Sequence, residues 1–70
     1  MKVDKVIKYH KRKLDFQKQK LTDLEFFYTS TNYNMLGINE KASVEEAMDK
    51  CRSEIKYLRL TIDYLKGVKQ

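Results

Sequence analysis

Two apolar seams with one rhythm constrain this chain more than any other feature. The first runs Val3, Ile7, His10, Leu14, Gln17, Leu21, Leu24, Tyr28, and the second Val44, Met48, Cys51, Ile55, Leu58, Ile62, Leu65. In both, steps of four and three alternate, the heptad signature of a helix packing along one stripe. Folded back on itself, the chain aligns the seams layer for layer: Leu24 with Met48, Leu21 with Cys51, Gln17 with Ile55, Leu14 with Leu58, His10 with Ile62 and Ile7 with Leu65. The same alignment brings Tyr28 beside Val44, where the chain must turn. The pattern therefore predicts an all-α fold, a two-helix antiparallel, coiled-coil-like hairpin in a single domain over residues 1–70.

Helix 1 is expected near residues 3–28 and helix 2 near 44–66, with a connection over 29–43. Ser43-Val44-Glu45-Glu46 reads as a capping box with Ser43 as the N-cap, and Gly67 as a C′ glycine after the last turn. Thr29-Ser30-Thr31-Asn32 should end helix 1, because these side chains compete for backbone hydrogen bonds. Tyr33, Met35, Leu36 and Ile38 are too apolar for a free loop and are expected to fold over the hairpin end onto Phe27 and Ala47. The chain has no proline and only Gly37 and Gly67 as glycines, which suits long helices.

A chain of 70 residues buries little apolar surface by itself. Cys51 is the single cysteine, so no intramolecular disulfide reinforces it. Oligomerisation is the remaining way to enlarge the core, and the expected assembly is a homodimer forming a four-helix bundle. The apolar runs are too short for a bilayer span and the first residues lack a signal-peptide core, so the expectation is a cytoplasmic protein with no membrane partner.

Net charge is +5 and unevenly spread. Residues 1–20 hold eight Lys/Arg against Asp4 and Asp15, residues 21–50 six acids against Lys41 and Lys50, and residues 51–70 five Lys/Arg against Glu54 and Asp63. In an antiparallel pair the heptad e positions share one edge and the g positions the other. The e edge carries Lys11, Lys18, Arg52 and Arg59, with Lys8 and Lys56 just outside. This basic ridge is either a solvated edge or a surface for phosphates or acidic side chains. The g edge offers Val6, Phe27, Ala47 and Val68, flanked by Tyr9, Phe16, Tyr57 and Tyr64. So many exposed apolar groups mark an interface, with a second copy or with another protein. Phe26 and Leu60 point outward. Tyr9, Arg12, Lys13, Phe16 and Lys20 mix aromatic and basic groups on one stripe, a pattern that serves single-stranded nucleic acid or simply covers apolar surface with lysine stems.

Catalytic chemistry finds little footing. Aligned seams put His10 and Cys51 about 16 Å apart, too far for a thiol–imidazole pair. Glu45 and Asp49 lie one turn apart and could share a divalent cation, although acids also belong in the first turns of a helix and Glu46 can pair with Lys50. No phosphate loop, zinc spacing or serine nucleophile motif is present. The sequence thus points to a non-enzyme with no cofactor, metal or small-molecule substrate. It reads as a regulator or adaptor that binds a larger protein, alternatively a DNA- or RNA-binding regulator using the basic ridge, and thirdly a structural assembly component.

Overall fold

The computed structural model describes residues 2–69, so Met1 and Gln70 lie outside the described residues. Helix α1 spans Lys2–Tyr28, a short helix α2 spans Thr31–Asn34, and α3 spans Ile38–Lys69. Among the described residues there are helices and connecting turns and no strand. At 1.5 Å per residue α1 and α3 are about 40 and 48 Å long, and the Cα trace measures 51 × 14 × 13 Å. The two long helices therefore lie side by side, and α3 is the main packing partner of α1.

Their direction follows from the residues that share grooves along one edge. Glu25 and Tyr28 line a groove with Glu45, Met48, Asp49 and Arg52. Lys18, Leu21 and Thr22 share the next with Ile55, Lys56 and Arg59, and Lys11 and Leu14 the third with Ile62, Asp63 and Lys66. Numbers fall on one helix as they rise on the other, so the pair is antiparallel.

The core is the seam, buried unevenly. On α3, Met48, Cys51, Ile55, Leu58 and Ile62 are buried, with Cys51 and Leu58 2 % exposed. On α1 only Ile7 is buried, and Val3, His10, Leu14, Gln17, Leu21 and Leu24 are half-buried. The half-buried seam of α1 leaves apolar surface that the hairpin alone does not cover.

The connection differs from expectation. Helix α3 starts at Ile38, six residues ahead of Val44, with Gly37 at the N-cap position: the Lys41 N–H donates to the Gly37 carbonyl at 2.9 Å. Ser43 is not a cap. Its hydroxyl donates back to the Asn39 carbonyl at 3.1 Å from inside the helix. Nothing from Ile38 to Ala42 breaks a helix, so the chain extends the ladder rather than stopping at a locally favourable capping sequence. Consequently only Glu40 is an acid of the first turn, and Glu45, Glu46 and Asp49 owe nothing to the helix end. Gly67 is likewise not a C′ residue, since α3 runs on to Lys69 and no described glycine has positive φ.

Helix α1 does end where Thr29 and Ser30 were expected to end it. The Ser30 hydroxyl donates to the Phe27 carbonyl at 2.6 Å and accepts from the Tyr33 N–H at 3.3 Å, so it closes α1 and caps α2 together. Helix α2 then ends in tight turns, with Met35 and Leu36 N–H groups donating to the carbonyls of Asn32 and Tyr33. Of the apolar residues of this connection, Tyr33 is buried and Leu36 half-buried, but Met35 and Ile38 are 79 % and 87 % exposed and do not fold over the hairpin end.

Candidate functional site: two unlike edges

The basic edge is a trough. Its central groove, about 630 Å³, is lined by Lys18, Leu21, Thr22, Arg52, Ile55, Lys56, Arg59 and Leu60. Arg52 also lines the groove of about 480 Å³ toward the hairpin end, and Arg59 the groove of about 260 Å³ toward the open end. Sharing these arginines, the three grooves follow one another along one edge as a segmented trough. Its floor is apolar, from Met48 through Leu21 and Ile55 to Leu14 and Ile62. Of the six basic residues singled out in the sequence, the structure brings Lys18, Arg52, Lys56 and Arg59 into one groove and places Lys11 in the next. Lys8, exposed about one turn before Lys11, lines neither.

The charges of this edge are graded. At the hairpin end Glu25, Glu45 and Asp49 line the trough. Arg52 marks the crossover, reaching Glu25 of α1 at 3.9 Å and Asp49 at 3.2 Å. Beyond it Lys18, Lys56 and Arg59 dominate. Both partners of the Glu25–Arg52 bridge are about half exposed, so it adds little stability, but it ties the two helices across the edge. The bridge was available in the sequence, because Glu25 stands one heptad after Lys18.

The opposite face is aromatic. Tyr9, Phe16, Tyr57 and Tyr64 are 56–71 % exposed. Tyr9 and Phe16 line a groove of about 440 Å³ with Arg12, Lys13, Gln17 and Glu54 of α3, and Glu54 also lines the groove that Tyr57 borders. Aromatics of both helices thus flank one carboxylate. Lys13 lies over the Tyr9 ring, its Nζ 5.0 Å from the centroid, a cation–π contact that shades the ring. Val6 is 40 % exposed, and its carbonyl accepts from His10 Nδ1 at 2.8 Å, which occupies that polar seam residue within its own helix. Phe27 takes the expected contact with the connection. It is half-buried and meets Tyr33 edge-on, with centroids 6.3 Å apart.

Tyr33, not among the candidate residues of the sequence, organises the hairpin end. Its ring stacks obliquely on Tyr28 at 4.5 Å, Lys41 Nζ sits 5.6 Å above it, and its hydroxyl donates to Glu45 Oε1 at 3.4 Å. Burial, and then the Glu45 carboxylate, push the phenol above its ordinary pKa of 10.0. The expected Glu46–Lys50 pair is present at 3.3 Å.

Among the described residues no group of three or more His, Cys, Asp or Glu is placed to hold a metal ion, and no helix is long and apolar enough to cross a membrane. Comparison with known proteins finds no matching family model, curated protein or solved structure.

Proposed function

We propose that this chain is a small non-enzymatic regulator or adaptor of the cytoplasm that acts by binding a larger protein, and does so as a homodimer forming a four-helix bundle. The observation that carries this reading is the surplus of apolar side chains. Eleven large hydrophobic residues are exposed among those described, against seven buried ones. A monomer in water has little reason to hold Tyr9, Phe16, Tyr57 and Tyr64 on one face, and such patches mark interfaces.

Area supports a second copy on that face. The accessible surface is 5724 Å² for 8.4 kDa, about 1,100 Å² more than a compact domain of this mass exposes. An interface of ordinary size buries about 800 Å² per partner, which removes most of the excess. Charge selects the face. Two basic edges brought together would set Lys18, Lys56 and Arg59 against their own copies, whereas the aromatic face carries Lys13 and Arg12 beside Glu54 and can complement itself.

Sedimentation velocity tests the dimer. The wild type should sediment as a dimer at micromolar concentration and the Phe16→Glu, Tyr57→Glu variant as a monomer. A wild type that remains monomeric throughout removes the four-helix bundle. Affinity capture from the source cell, with and without nuclease, tests the partner. A protein retained after nuclease treatment supports the reading, and loss of all bound material on nuclease treatment favours the nucleic-acid alternative, which the cations of the trough would serve.

A further inference from the structure

Resting on the protein-binding reading, we infer that the trough between α1 and α3 receives an acidic amphipathic helix of the partner protein, making a third helix against each hairpin. Three features argue for this occupant. The first is shape. From the level of Tyr28 to that of Lys11 the trough is about 26 Å long, room for a helix of about 18 residues, and its three grooves adjoin at Arg52 and Arg59.

The second is the floor. Leu21 and Ile55 form its middle, with Leu60, 61 % exposed, on its rim. A strand of phosphates would meet the cations but leave Leu60 and the half-buried Leu14 and Leu21 in water, while a helix with apolar residues three and four apart covers them. The third is charge. Lys18, Lys56 and Arg59 stand around the middle, Lys11 and Lys66 with the single acid Asp63 near the open end, and Glu25, Glu45 and Asp49 at the hairpin end. The complement is a helix whose carboxylates lie over the middle and open end and whose remaining end is neutral or basic. A polyanion of uniform charge would meet repulsion at the acidic end. A second copy of this chain fails in the middle, where Lys18, Lys56 and Arg59 would face cations of the same groove. Such charge matching sets orientation and partner choice more than raw affinity.

The test uses the full chain and a fluorescein-labelled synthetic peptide of about 18 residues, with leucines at a and d, glutamates flanking them over the first three turns and lysines over the last. Fluorescence anisotropy compares it with a scrambled peptide of the same composition and with an oligodeoxythymidylate of about 20 nucleotides. The helix should bind at least about tenfold more tightly than its scramble, and Lys18→Glu with Arg59→Glu should weaken it by about tenfold or more. Leu60→Asp, which alters the rim without touching the buried seam, should weaken it several-fold, and circular dichroism confirms that each variant remains helical. Equal binding of helix and scramble, tighter binding of the oligonucleotide, or indifference to Leu60→Asp each overturns the inference. If in that event the Lys18→Glu, Arg59→Glu variant still captures the same cellular protein as the wild type, the protein-binding reading stands without the trough.

Discussion

At Tyr33 one side chain meets Phe27 and Tyr28 of α1 and Lys41 and Glu45 of α3, so the closed end of the hairpin depends on a residue of the connection. The burial that makes it useful also raises its pKa, because a phenolate would lose water and face the Glu45 carboxylate. The folded chain therefore holds this proton more tightly than the unfolded chain. Its contribution is complete below the unfolded value of 10.0 and is lost as pH rises through the higher folded value. Urea unfolding checks this against Tyr33→Phe, which keeps the ring and cannot ionise. Between about pH 9 and pH 11 the wild-type midpoint should fall further than that of the variant. Every other ionisable group is common to both chains, so equal falls would mean that Tyr33 keeps its proton no better when folded. The apolar character of the connection announced that something would pack there. It did not separate Tyr33, which packs, from Met35 and Ile38, which stay exposed, because that choice depends on where α2 turns the chain.

Helix boundaries separate what the sequence discloses from what it conceals. The seams were legible because they repeat over some seven turns, and a pattern of that length survives local exceptions such as His10 and Gln17. The end signals at Ser43 and Gly67 each rest on one residue in a favourable setting, and both are overridden because extending a helix already begun costs less than starting a new one. The unlike edges followed from the heptad, whereas the trough floor at Leu60 and the acidic hairpin end required knowing which residues line one depression. Substitution separates cap from interior by sign. A Ser43→Ala change at an N-cap costs about 1 kcal/mol, but inside α3, where Ser43 only bonds back to Asn39, it should raise stability by about 0.5 kcal/mol. Gly67→Ala should also stabilise, by up to about 1 kcal/mol, since an added Cβ there meets nothing within 4 Å. Thermal unfolding of the two variants checks both signs, and a fall in either midpoint would restore the corresponding end signal.

The shape of the whole molecule ties stability to association. Its radius of gyration is 15.8 Å, where a compact chain of 70 residues would measure about 11 Å, so much of each long helix faces outward. The seam gives α3 a buried stripe and leaves that of α1 half-covered, and eleven large apolar groups among the described residues are exposed. A hairpin of this kind gains from a neighbour what a larger domain gains from its own interior. Binding that favours the folded chain raises its apparent stability by mass action. On the proposed homodimer, the thermal midpoint should climb as protein concentration is raised from about 1 to 100 μM, because dimer formation and folding would then be one equilibrium. Phe16→Glu with Tyr57→Glu changes only exposed positions, so it should leave the helices formed at low temperature and flatten this dependence, lowering the midpoint most at the highest concentration. Lys18→Glu with Arg59→Glu, on the other edge, should leave the dependence intact. If the trough variant were the one to flatten it, the copies would be meeting through the basic edge and the assignment of the two faces would have to be exchanged.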